Sequence, residues 1–297
     1  MRNLPLRGLL RVFALTLTAS AACPLAAQSP APAQPEDGGI ALAMGRARES
    51  NRPLLVLITE RGKSRADDRA RALLDSPATA AQGEDAVFLS LDLAVSRNRA
   101  TAARFHVTNT PLLVSLSSRG IIIGRDEHKL TRALLLRRME EARRQGPELD
   151  RSFAALEAAA LTEPGNITAQ FALTDFLLAH HNDLEAIPRL SAIAHSPACP
   201  PADRVRAWVA LARAHLWIAE PEKGRHEADD LVATLGPVTP EAVAGGKLVL
   251  GLQDANARRI YLARRELEEA AAAAPESPYG KQAADALAKL PKGQGRQ

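Results

Sequence analysis

Sulfur and aromatic rings are scarce in this 297-residue sequence. It holds two cysteines, Cys23 and Cys199, and 3% Phe, Trp and Tyr. No Cys-x-x-Cys pair is present, which excludes dithiol exchange chemistry. With so few rings, Leu, Val, Ile and Ala must fill any core, a composition suited to closely packed helices. A long apolar run is also missing: Val12 to Ala22 is about 11 residues, short of the roughly 20 that span a bilayer as a helix. Nor is there an excess of one charge. The 38 Lys and Arg exceed the 34 Asp and Glu by 4. Arg2, Arg7 and Arg11 lie in the first 27 residues with no acid, so the remainder carries 35 basic against 34 acidic residues. A nucleic-acid surface needs a basic patch that neutralises several phosphates. The nearest candidate, Arg137, Arg138, Arg143 and Arg144, is interrupted by Glu140 and Glu141 and reads as a solvated helix face. No Gly-rich phosphate loop, Ser/His/Asp arrangement or paired-carboxylate motif stands out.

What is present begins with the three parts of a secretory signal. The three arginines precede the apolar stretch, and Leu25-Ala26-Ala27 precedes a cut before Gln28. Residues 1–27 are expected to direct export, and residues 28–37, with Pro30, Pro32 and Pro35, form an extended spacer. Ser20-Ala21-Ala22-Cys23 offers a variant, a lipobox whose cysteine carries a lipid anchor, although Ser20 stands where a large aliphatic residue is usual. The expected location is periplasmic or secreted, with a membrane partner only if Cys23 is lipidated. Without lipidation the mature chain keeps Cys199 alone, and a lone cysteine forms no internal disulfide.

From Gly38 the pattern changes to alternating helices and strands. Ile40 to Ser50 reads as a helix, and Pro53-Leu54-Leu55-Val56-Leu57-Ile58 as a strand buried on both faces. Arg65 to Leu74 is a helix, Ala86 to Leu93 a second strand, Ala100 to Phe105 a helix and Pro111 to Leu116 a third strand. A turn at Ser117 to Gly120 makes a hairpin with Ile121-Ile122-Ile123-Gly124, and a helix from Lys129 to Arg144 closes the unit. This order implies a mixed sheet covered on both faces.

Residues 38–146 resemble the thioredoxin-like family, particularly exported forms that begin with a helix and a Lys/Arg-Pro-Leu-Leu-Val strand. The resemblance is carried by Arg52-Pro53-Leu54-Leu55-Val56, Phe88-Leu89-Ser90-Leu91-Asp92, the segment Phe105 to Pro111, and Ser118-Arg119-Gly120-Ile121-Ile122. It implies a cis Thr110-Pro111 bond flanking an active-site corner. Arg61-Gly62-Lys63-Ser64 occupies the place where that family carries its two cysteines, so the resemblance comes without its redox chemistry. The corner is then either a binding site, in which a helix N-terminus with Arg61, Lys63 and Arg65 takes an anion or acidic peptide, or an exposed charged loop left after the chemistry was lost. His106 is the histidine expected to line it, beside Thr110 and Pro111. Asp67-Asp68, amid Arg65, Arg69 and Arg71, reads as local ion pairing.

Residues 147–292 read as helix throughout and resemble the tetratricopeptide (TPR) repeat. Leu250-Gly251, Ala263, Leu267, Ala270 and Pro275 fit one unit; Trp208, Leu211, Ala212, Gly224, Ala228 and Leu231 fit the unit before it. Their spacing, about 39 residues from Leu211 to Leu250, exceeds the ~34 of the standard repeat. A generic array of helical hairpins is the alternative, and either is a helical solenoid. Gly251, Ala212 and Ala263 are expected to let helices touch backbone to backbone. His180, His181, His195 and Cys199 fall within twenty residues, but adjacent histidines on a helix point about 100° apart. No metal site, cofactor or catalytic residue is therefore assigned.

The fold class expected is an α/β thioredoxin-like sheet followed by an all-α TPR-like solenoid. The function expected is a non-catalytic interaction or scaffold protein of the bacterial cell envelope with a protein or peptide partner. The alternative is a thioredoxin-family enzyme with divergent chemistry.

Overall fold

A computed structural model describes residues 38–76, 85–127 and 130–291. The expected signal segment 1–27 with Cys23, and the 28–37 spacer, lie outside the described residues. Four strands and eleven helices are present among the described residues. Helix α1 (Gly38–Ser50) leads to β1 (Leu54–Thr59), α2 (Arg65–Leu74), β2 (Val87–Asp92), α3 (Ser96–Ala103), β3 (Leu112–Leu116) and β4 (Ile122–Glu127). The strands form one mixed sheet in the order β2-β1-β3-β4, with β1 parallel to β2 and antiparallel to β3.

Every residue of β1 is buried, as its unbroken apolar run requires for a central strand. Side chains on a strand alternate between faces. Leu54, Val56 and Ile58 pack with Ile40, Ala43 and Ala47 of α1 and Ala102 of α3. Leu55 and Leu113 face the other way, against Leu135, Met139 and Leu73. The sheet is therefore covered on both faces. In the β3–β4 hairpin Gly120 takes φ +88°, and Ile123 is an extra residue at a register shift.

Helix α4 runs unbroken from Arg132 to Thr162. The sequence pattern predicts a closing helix that ends at Arg144 and a boundary at 146/147; the structure carries one helix through Gly146 and Pro147. Proline removes one intrahelical hydrogen bond, but fifteen helical residues lie on each side of Pro147 and both halves are packed against a core. The first half of α4 covers the sheet through Leu135 and Met139; the second half joins the helical core through Leu149, Phe153 and Leu156.

Seven further helices follow: α5 (Ile167–Ala179), α6 (Asp183–Ala194), α7 (Pro201–Trp217), α8 (Pro221–Leu235), α9 (Pro240–Asn256), α10 (Ile260–Ala273) and α11 (Pro278–Lys289). Each packs on the next, and α9 also packs on α7 and α11. A Cβ on Gly251 would come 2.7 Å from Leu267 and 3.3 Å from the Ala263 carbonyl, and one on Gly224 2.7 Å from the Ala212 carbonyl. The small residues do sit where helices touch. None of the described helices is long and apolar enough to cross a membrane.

The sheet unit and the helical region meet along a polar and aromatic junction. Neighbouring hairpin residues serve different cores: Ile121 belongs to the helical one and Ile122 to the sheet's. The buried Asn182, between α5 and α6, donates to the Gly120 carbonyl (2.9 Å) and accepts from the Ile122 N–H (3.1 Å). Ser118 donates to Asp150 of α4 (2.6 Å). The Arg119 guanidinium pairs with Glu157 (3.4 Å) and lies 5.3 Å from the Phe153 ring centre. Arg104 pairs with Glu185.

Candidate functional site

The corner singled out from the sequence is built by a turn and a capped helix. Lys63 N–H donates to the Glu60 carbonyl (3.2 Å), and Gly62 takes φ +78°, the left-handed conformation that a four-residue turn assigns to glycine at its third position. Ser64 is the N-cap of α2. Its hydroxyl accepts from the Asp67 N–H (3.1 Å) and donates to Asp67 Oδ2 (2.6 Å). The cap satisfies one orphan donor of the helix, the Asp67 N–H, and the return bond from the hydroxyl orients the Asp67 carboxylate.

Asp67 is fully buried. It accepts from the Glu60 N–H (3.2 Å) and from the Thr110 hydroxyl (3.4 Å) as well. The ion pairing read from its neighbours in sequence is not what it does. Its side chain is buried and ties the turn to the segment before Pro111. The Thr110-Pro111 bond is cis, as the resemblance implied, and Pro111 is buried.

Two of the three cations expected at the corner, Arg61 and Lys63, have partners, while Arg65 is exposed at the start of α2. Arg61 Nε lies 3.4 Å from Asp92 Oδ2, and its N–H donates to Asp92 Oδ1 (3.0 Å). Arg71 reaches the same carboxylate at 3.2 Å and donates from Nε to Thr59 (2.8 Å). Burial works to raise the Asp92 pKa, but the N–H groups of Arg61 and Ala94 and the guanidiniums of Arg71 and Arg61 together hold it below the ordinary value. Lys63 pairs with Glu60 at 2.8 Å. The first turn of α2 already contains Asp67 and Asp68, which offset the helix N-terminal field. The corner is a closed, charge-balanced turn, with hydroxyl, guanidinium and ammonium groups and no sulfur.

His106 is placed differently from the expectation. Its ring stacks on Trp217 with centres 4.4 Å apart, and Nδ1 contacts the Trp217 carbonyl. It is held at the junction with the helical region, against Trp217 and not in the turn. The chain matches no family model and no curated protein.

The remaining histidines and Cys199 are dispersed. His180 and His181 belong to the junction, whereas His195 contacts the Ser191 carbonyl (3.0 Å) and the edge of Trp208. Cys199 is buried in the helical core.

A second surface was not singled out from the sequence. Along alternate helices α5 and α7, Arg206 pairs with Asp175 (2.5 Å) and lies 4.0 Å over the Phe171 ring. Tyr279 of α11 is within electrostatic reach of Arg206, Arg213 and Glu241, and burial first of all raises its pKa. Only the spacing of the TPR resemblance could have brought these residues together before the structure.

Proposed function

We propose that the chain is an exported, non-catalytic interaction protein of the bacterial envelope. A redox-inactive thioredoxin-like unit and a TPR-like array present surfaces to a protein or peptide partner. The observation that carries this reading is the corner Arg61-Gly62-Lys63-Ser64, tied through Asp67 to Thr110 and unable to exchange sulfur. The strand order with a parallel β1–β2 pair and an antiparallel β3–β4 hairpin supports the thioredoxin-like half. Stacking of α7, α9 and α11, with small residues at the contacts, supports the repeat half. The exposed Arg206, lying over the buried Phe171 ring, and the half-buried Tyr279 supply guanidinium and aromatic groups of the kind that anchor partners.

Two measurements test the reading. Insulin reduction by the purified chain and by Cys199→Ala is expected to equal the blank. A rate above it would move the reading to a thioredoxin-family enzyme with divergent chemistry. Capture from envelope extracts is expected to retain a defined partner that Arg206→Glu and Tyr279→Ala lose; retention of none would overturn the interaction role. Mass spectrometry of the mature N-terminus separates a soluble form beginning at Gln28 from a lipidated one beginning at Cys23.

A further inference from the structure

The two edges of the sheet are finished differently. At β4 the edge is closed. Asn182 and His180 occupy the N–H and the carbonyl of Ile122, the extra residue Ile123 interrupts the register, and Arg125, Asp126 and Glu127 charge the far end. Such devices keep a sheet edge from pairing with another chain. At β2 none of them is found among the described residues. It is a regular six-residue strand on which the apolar Val87, Phe88 and Leu89 are only half-buried.

Parallel pairing with β1 fixes which backbone groups of β2 are open. The Val87 N–H donates to the Pro53 carbonyl and the Leu93 N–H to the Thr59 carbonyl (both 2.8 Å), so the odd-numbered residues turn their backbone toward β1. The N–H and C=O groups of Phe88 and Ser90 therefore point away from the sheet. The open row ends at Asp92, whose carbonyl already accepts from the Val95 N–H (3.0 Å) and from Asn98 Nδ2 (2.9 Å). Helix α1 lies alongside and runs the opposite way. A Cβ on Gly39 would meet Leu89 at 4.0 Å, while an open groove of about 470 Å³ is lined by Arg46 and Glu49 together with Ala86, Val87 and Phe88. Gly39, Leu42, Arg46 and Glu49 recur at the spacing of one helix face, so Leu42, 58% exposed, falls midway along the strand. Arg46 and Glu49 form no ion pair with a described residue, and neither do Arg97 and Arg99 at the start of α3, beyond the other end of β2.

We infer that β2 is a dimer edge: it pairs antiparallel with β2 of a second copy about a two-fold axis at Phe88–Leu89. The two four-stranded sheets then become one continuous sheet. A two-fold interface sets the same surface against itself, and this surface is complementary to itself. The outward N–H and C=O groups of Phe88 and Ser90 find counterparts in the copy. Val87 and Leu89 meet their equivalents, and the two Leu42 side chains close over the axis. The axis also exchanges the ends of the strand. Glu49, beside its start, comes level with Arg97 and Arg99 of the second copy, beside its end, and Arg46 is left facing the polar Ser90. Opposite charges without partners in one chain thus face each other in two. That match selects a second copy over an unrelated strand. The dimer does not rest on the interaction role proposed above, and failure to capture a partner would leave it untouched.

Sedimentation equilibrium of the purified chain from about 1 to 200 μM, with circular dichroism alongside, tests it. A paired edge is a small interface, so the mass is expected to climb to twice that of the chain across this range. The Ser90 N–H bonds nothing within one chain. Ser90→Pro is therefore expected to leave the ladder and the dichroism unchanged while removing one donor from each copy, weakening association about tenfold or more. Leu42→Glu, on an exposed side chain, is expected to weaken it similarly. Glu49→Arg should weaken it too, and adding Arg97→Glu should restore it. A monomer at the highest concentration would overturn the dimer edge, as would a dimer that neither Ser90→Pro nor Leu42→Glu weakens. If Ser90→Pro loses the helix signal, Leu42→Glu decides alone. A charge exchange that fails to restore association overturns the antiparallel pairing.

Discussion

Asp67 carries more of the corner than its exposed neighbours do. Its carboxylate accepts from one backbone N–H and two hydroxyls while fully buried. A buried donor left unsatisfied costs about 1–3 kcal/mol, so Asp67→Ala is expected to lower stability by about 2–3 kcal/mol in urea unfolding, and Asp67→Asn by less, since an amide oxygen still serves Glu60. Arg61, with 76% of its side chain exposed, is expected to contribute under about 1 kcal/mol, and Arg61→Ala should leave the unfolding midpoint nearly unchanged. Asp183 gives the molecule a pH signature. Its folded pKa, about 7, stands above the unfolded value near 3.8. Its stabilising contribution is complete below the unfolded value and is lost as pH rises through 7. Asp183→Asn is therefore expected to raise the melting temperature at pH 8 by about 2–4 °C per kcal/mol recovered and to change it little at pH 4. Calorimetry at both pH values checks this.

Among elements, those whose shape follows from local pattern were legible. The apolar run Leu54 to Ile58 marks a central strand, Arg65 to Leu74 reads as the helix α2, and Leu250-Gly251 marks a tight helix contact. Gly251→Val would drive two methyl groups into Leu267, and overpacking of that kind costs about 1–3 kcal/mol; a thermal melt should show the loss. The continuity of α4 was not legible. Gly146-Pro147 is a local break signal, and it is overridden because both halves of the helix are pinned by contacts made far away in sequence: Leu135 under the sheet, Phe153 in the helical core. The direction of Asp67 was likewise hidden, since charge spacing on a helix shows which residues are near one another but not which of them faces Thr110. The junction was the least legible part. Asn182 to Gly120 spans 62 residues and His106 to Trp217 spans 111, and no periodicity connects them. The one available hint was Trp217 itself, one of only two tryptophans, placed at a helix end.

At the scale of the molecule, the junction decides whether the chain unfolds as one body. Asn182→Ala would leave the Gly120 carbonyl and the Ile122 N–H buried without partners, a loss of about 2–4 kcal/mol across the two groups. Amide exchange at Ile122 is expected to speed up more than exchange in β1, and urea unfolding to separate into two steps. A single step with uniform exchange would show that the cores hold together without the amide. Both expectations rest on α4, whose 31 residues belong to the two halves at once. A gene that lost, duplicated or lent out one half would have to carry the other half's wall along with it. For modular inheritance the molecule is therefore indivisible at the place where it looks most easily cut.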